Sequence, residues 1–173
     1  VADIIAAGII PAGLEMMDKI TTGAVEPFVN AGYPLAAEAI LLCESDGNDA
    51  EVAEEIERMK AVMQASGAME VRVSQSEGER LRFWAGRKAA FPAAGRVSPD
   101  YYCMDGTIPK KALPRVLNAI TALSQKYGLR CMNVFHAGDG NLHPLILYDA
   151  NKPGELEKTE QFGMEILLLS IEV

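Results

Sequence analysis

The sequence predicts an α+β fold, a ferredoxin-like sandwich with an antiparallel sheet and helices on one face. Three observations point there. Residues 36–74 and 101–135 each run strand, amphipathic helix closed by a glycine, strand, which is a twofold βαβ plan. Asp139-Gly140 separates two apolar, strand-like runs and reads as a tight hairpin turn, because a two-residue loop needs residues that tolerate φ > 0. No GxGxxG leads from a strand into a helix, which argues against a doubly wound nucleotide-binding sheet.

The elements follow in order. Residues 1–8 read as the end of a helix. Residues 9–17 read as a strand, with Pro11 at an edge or bulge. Residues 21–33 are punctuated by Gly and Pro and read as a loop with a single helical turn. An apolar strand is expected over 36–43. Asn48-Asp-Ala-Glu51 resembles a capping box, and Val52, Ile56, Met59 and Met63 then recur at helical spacing until Gly67. Residues 68–74 alternate apolar and charged, the pattern of a half-exposed strand. Ser76-Glu-Gly-Glu79 opens a helix carrying Leu81, Trp84 and Arg87, with Pro92 and Gly95 ending it. A strand over 101–107 precedes a helix bearing Leu113, Val116, Leu117, Ile120 and Leu123, with Pro114 in its first turn and Gly128 closing it. Residues 129–135 and 142–148 form the hairpin strands. Pro153 opens a last helix carrying Leu156, Phe162, Ile166 and Leu169.

Composition narrows the function classes. A chain of 173 residues, 49% hydrophobic and 23% charged, fits one globular domain with a real core. A formal charge of −8, with no run of Lys or Arg, excludes a nucleic-acid surface and disfavours an anionic membrane. The three cysteines, Cys43, Cys103 and Cys131, form no CxxC and point to buried, reduced thiols in a cytoplasmic protein. Residues 4–14 are apolar but too short and too broken by Gly8, Pro11 and Gly13 to span a bilayer, and they lack a basic leader. The start at Val1 and the apolar finish over 166–173 suggest a piece of a longer protein.

The chemistry concentrates on the hairpin. With the turn centred on Asp139-Gly140, His136 would face His143, placing the only two histidines of the chain on one face. Two converging imidazoles form half of a divalent-metal site for an ion such as Zn, Fe or Mn. Asp139 is expected to be taken up by the turn itself.

His136-Ala-Gly-Asp-Gly-Asn-Leu-His-Pro144 closely resembles the signature of FAD-linked oxidases of the vanillyl-alcohol-oxidase superfamily, in their C-terminal domain. Trp84-Ala-Gly-Arg-Lys88, running on to Phe91-Pro-Ala-Ala-Gly-Arg96, is similar to the glycolate-oxidase D-subunit and D-lactate dehydrogenase type in particular. Ser98-Pro-Asp-Tyr-Tyr-Cys-Met-Asp-Gly-Thr-Ile-Pro109 strengthens the likeness. The resemblance implies the substrate, or cap, domain of a larger flavoenzyme over residues 1–173, with FAD held mainly by another domain. It implies that His136 and His143 bind the metal. It places the third ligand, a Glu, and the probable base in a Gly-Glu-His-Gly motif beyond Val173, so no catalytic base is assigned within the chain, and the isolated piece is expected to be inactive.

Arg87 aligns with a substrate arginine, and its fork suits a carboxylate as Lys cannot. Lys88 and Arg96 are weaker candidates, and Trp84 reads as core. Asp105 is expected either to hydrogen-bond a ligand histidine or to cap the following helix, and Asn141 to hold the turn. Related hydroxyglutarate enzymes carry a Lys where this chain has Cys103 and an Asn where it has Leu145. Both departures remove grips for a second carboxylate and favour a small 2-hydroxy acid such as glycolate or lactate. Other subunits or domains of the flavoenzyme would be partners, and apolar surface left uncovered could drive self-association. An alternative from another class is a non-catalytic ferredoxin-like sensing or interaction domain that keeps the hairpin for stability.

Overall fold

The computed structural model describes residues 1–173. An antiparallel sheet is built from β1 (Gly13–Asp18), β2 (Ala39–Glu44), β3 (Asp100–Cys103), β4 (Gly106–Thr107), β5 (Cys131–His136) and β6 (Asn141–Tyr148). The strand order is β2-β1-β5-β6-β3, and β4 also pairs with β6. Around it lie α1 (Ala2–Ala6), α2 (Lys19–Val29), α3 (Asp49–Ala65), α4 (Glu77–Val97), α5 (Leu113–Tyr127) and α6 (Glu155–Glu172).

The strands alternate cleanly between two cores. Leu14, Met16, Cys131, Phe135, Leu142 and Ile146 turn to a face covered by α1, α3, α5 and α6, with Ile4, Met59, Val116, Ile120, Phe162 and Ile166 packed on them. Met17, Met132, Val134, Leu145 and Leu147 turn to the opposite face, where Ala24 and Val25 of α2 and Ala90, Ala93 and Ala94 of α4 pack. The expected α+β class and antiparallel sheet are observed. The sequence reading placed helices on one face only; the small apolar stripe of α4 carries a second helical layer.

That layer arises where the sequence reading expected irregular chain. Residues 21–33, expected to be a loop with a single helical turn, are filled for the most part by α2. Asp18 caps it, its Oδ1 accepting from the Thr21 N–H at 2.8 Å, while its Oδ2 accepts from the backbone and side-chain amides of Asn133 at 3.0 and 2.7 Å. Pro27 and Gly23 lie inside this helix. Likewise α4 continues through Pro92 and Gly95 to Val97, because Ala90, Ala93 and Ala94 are fully buried against α2 and the sheet. Burial outweighs the hydrogen bond that Pro92 forgoes.

The first βαβ unit loses its second strand: residues 68–74 form none, and Met69 is exposed. The capping box at Asn48 is present with both reciprocal bonds, and Pro114 occupies the first turn of α5 as expected. The expected strand over 101–107 is interrupted at Met104 and Asp105. The register is unbroken, since Cys103 pairs with Leu145 and Gly106 with Leu142. Opposite the gap stands Pro144. It accepts a hydrogen bond from the Met104 N–H at 3.0 Å but has no N–H to return.

Candidate functional site

The β5–β6 turn differs from the two-residue turn expected. His136 pairs with Asn141 and Val134 with His143, so four residues, Ala137 to Gly140, make the connection. Asp139 donates its N–H to the His136 carbonyl at 3.1 Å, and only Gly140 takes a positive φ, +74°. The histidines are therefore diagonal neighbours and not directly opposed. They share one face all the same, with ring centroids 5.0 Å apart and nearly perpendicular planes.

The glycines of this turn let flanking backbone close in. Gly138 donates to the Leu14 carbonyl at 2.8 Å on one side, and Gly140 accepts from the Ile108 N–H at 3.0 Å on the other. A Cβ on Gly140 would overlap the Ile108 carbonyl oxygen.

A polar row crosses the sheet on the α4 face. The β1–β5 register sets Met16 against Phe135, and one step further Glu15 stands beside His136. Glu15 Oε1 is 2.8 Å from His136 Nδ1. Across the row, Asp105 stands opposite His143 in register, with its Oδ1 3.9 Å from His143 Nε2, near enough for attraction and too far for a hydrogen bond. Asp105 does not cap the helix that follows, which has no side-chain cap.

The helix α4 lays a stripe over this row at i, i+4, i+7 and i+11. Arg80 meets Glu44 at 3.0 Å, and Trp84 packs on Gly13, where a Cβ would lie 3.2 Å from the indole. Arg87 donates from Nε to Glu15 Oε2 at 2.8 Å with both side chains mostly buried, and Phe91 sets its ring edgewise to His143 at 6.5 Å. Trp84, expected in the core, is only half-buried and lies on the β1 backbone at Gly13, outside both cores. Lys88 is exposed, and Arg96 stacks on Phe28 at 4.0 Å in the α2–α4 contact, away from the row.

Two buried polar atoms of the row have no partner: His143 Nδ1 and Asn141 Oδ1. Asn141 therefore does not hold the turn through this oxygen, contrary to expectation. Burial, opposed by Asp105 and reinforced by His136 and Arg87, lowers the His143 pKa and keeps its imidazole neutral, the form that binds metals. No three His, Cys, Asp or Glu side chains converge on one point. Two imidazoles, one of them with a buried unpaired nitrogen, amount to half of a metal site and no more.

Glu15 is the site residue missed in the sequence. Its signal was a single carboxylate inside the apolar run Leu14 to Met17, but without the sheet order nothing connected it to His136. A cavity of about 560 Å³ beside Tyr33, Leu41 and Phe83 is lined by none of Glu15, Arg87, His136 or His143.

The family described as FAD linked oxidases, C-terminal domain, matches residues 1–173. Glycolate oxidase subunit GlcD of Escherichia coli (strain K12) is 62% identical over 173 residues, covering 100% of this chain and 35% of that protein. The subunit of the same name from Bacillus subtilis (strain 168) is 36% identical over 173 residues, covering 100% and 37%. A D-lactate dehydrogenase of Anaerostipes hadrus is 30% identical over 158 residues, covering 86% and 33%. Among solved structures, 4-ethylphenol oxidase from Gulosibacter chungangensis in its isoeugenol complex superposes with a TM-score of 0.57 at 12% identity, over 92% of this chain and 37% of that one, a likeness of fold alone. The chain spans about a third of the length of the curated relatives it matches. No helix is long and apolar enough to cross a membrane.

Proposed function

The chain belongs to the family of FAD-linked oxidases, C-terminal domain, and from that premise we propose that it is the substrate- and metal-binding part of an FAD-dependent oxidoreductase acting on a small D-2-hydroxy acid of glycolate or lactate type. The observation that carries the reading is the pairing of His136 and His143 at 5.0 Å on the sheet face that also receives Arg87. The names of the relatives, glycolate oxidase subunit and D-lactate dehydrogenase, support the substrate class.

Oxidising such an acid removes a hydride from Cα and a proton from the hydroxyl. When bound, FAD supplies the hydride acceptor, and a divalent ion such as Zn, Fe or Mn supplies the Lewis acidity that makes the hydroxyl proton easier to remove. His136 and His143 would hold that ion through one nitrogen each, and a Gly-Glu-His-Gly-like segment outside residues 1–173 would supply the remaining ligand and the base. With its Nε engaged by Glu15, Arg87 keeps the Nη groups of its fork for the substrate carboxylate. Asp105 faces His143 from the neighbouring strand and draws positive charge toward it, and Asn141 offers Oδ1 to a donor on the bound acid. Phe91 shields the inner side of His143 from water.

Cys103 and Leu145 are opposed across the β3–β6 ladder, on the face that carries His143. A thiol and an alkyl group there provide no cation or amide for a second carboxylate, which supports a small monocarboxylate substrate. The three free cysteines support a reducing cytoplasmic setting. Other domains or subunits of the flavoenzyme, or a second copy, would cover Met164, Leu168 and Ile171, which stand exposed on α6.

The test is zinc titration of the full-length protein beside His136→Ala and His143→Ala. The reading expects binding in the parent protein and its loss in each variant, together with glycolate or lactate oxidation sensitive to chelators. Unchanged zinc binding in both variants would instead favour a non-catalytic module that keeps the hairpin for stability. The isolated chain is expected to turn over no 2-hydroxy acid, even with added FAD.

A further inference from the structure

Glu15 stands where the two halves of the site meet. Its Oε1 lies 2.8 Å from His136 Nδ1, its Oε2 lies 2.8 Å from Arg87 Nε, and its side chain is only 14% exposed. We propose that Glu15 is a positioning residue for both partners at once, holding the His136 proton on Nδ1 and fixing the plane of the Arg87 guanidinium. The inference rests on the reading of His136 as a metal ligand and Arg87 as a carboxylate grip.

An ionised carboxylate only accepts, and guanidinium only donates. A neutral imidazole carries one proton, so a hydrogen bond from Nδ1 to Glu15 leaves the lone pair on Nε2. His136 Nε2 is then the nitrogen free to bind a cation, and the His136 side chain is 43% exposed, open on its outer side. The other carboxylate oxygen restrains Arg87 at Nε alone, which leaves the terminal fork unoccupied. One side chain thus couples the orientation of the metal ligand to that of the substrate grip. Asp offers the same two acceptors on a shorter stem, whereas Gln has the same shape but a single acceptor, and its NH₂ would oppose the Arg87 donor or push the His136 proton to Nε2.

The experiment uses the full-length protein. Nitrogen-15 histidine spectra of the metal-free wild type near pH 8, with the His136 signal assigned through His136→Asn, should show the proton on Nδ1. Glu15→Gln should weaken zinc binding, read by competition with a chelator, by on the order of 10–100-fold. The same variant should raise KM for the 2-hydroxy acid, and Arg87→Lys should do the same. A wild-type His136 protonated on Nε2 would overturn the inference, and so would a folded Glu15→Gln protein with unchanged zinc affinity and unchanged KM.

The wild-type spectrum decides the matter even if Glu15→Gln fails to fold. His136→Ala separates the two claims. If that variant keeps full zinc affinity, the metal reading fails and the tautomer still judges Glu15. If it loses zinc while Glu15→Gln changes nothing, the role given to Glu15 alone falls.

Discussion

The hydroxyl of Tyr33 is set into the side of α4 at Gly86, where it accepts the Gly86 N–H at 3.1 Å and donates to the Phe83 carbonyl at 2.5 Å. A Cβ on Gly86 would overlap the phenol ring. Gly86 therefore admits the ring, and the ring anchors the helix one residue before Arg87. Burial pushes the Tyr33 hydroxyl up to about 12, so it remains a donor throughout the working range.

Gly86→Ala should cost about 1–3 kcal/mol through overpacking. Tyr33→Phe should cost about 0.5–1.5 kcal/mol, because it removes the two hydrogen bonds of the phenol to the α4 backbone. Urea unfolding measures both. Each should also raise KM for the acid, since Arg87 rides on the same turn.

Glycines elsewhere should rank by what surrounds them. Gly140→Ala meets both a left-handed φ and the Ile108 carbonyl, and should be the most damaging, at several kcal/mol with loss of zinc binding. Gly138→Ala, 3.1 Å from the Leu14 Cβ, should cost less. Gly23→Ala inside α2 has nothing within 4 Å and should stabilise by about 0.5–1 kcal/mol. A thermal-shift series of the three, ordered otherwise, would contradict this account.

The thiols should separate by reactivity. Burial raises Cys43 to about 12 and holds Cys131 well above the ordinary thiol range, whereas Cys103 is exposed and only raised. Alkylation at pH 8 followed by peptide mass spectrometry should label Cys103 first and Cys131 last.

Stability of the metal-free protein should fall with acid through His143. Burial lowers its folded pKa below that of an ordinary histidine. Above that value both states are neutral and the full stability is present. Below it the unfolded chain takes a proton that the folded one resists, so stability drops until the folded pKa is passed and then levels. Urea midpoints between pH 8 and 5 measure the slope, and His143→Gln should flatten it.

Local signals were legible where they were self-contained. The Asn48 capping box, the Pro114 start of α5 and the amphipathic α5 and α6 depend on neighbours within a few residues, and each is found as read; the reversal at Asp139-Gly140 is found too, but with a four-residue connection in place of the two-residue turn. Signals that depended on packing misled. Pro27, Pro92 and Gly95 looked like breaks, yet the alanine stripe of α4 against α2 holds helix through all three. The alternating stretch 68–74 looked like a strand, yet no neighbouring strand receives it.

By itself the sequence determined that two histidines would lie on one face of a tight reversal, because side chains two residues apart on paired strands share a face whichever even register is adopted. Only the tertiary structure decided the register that makes them diagonal, the sheet order that carries Glu15 to His136 over 121 residues of chain, and the helix that lowers Arg87 onto Glu15. Hydrogen bonds between distant strands leave no local pattern to read; they exist only once the sheet has chosen its neighbours.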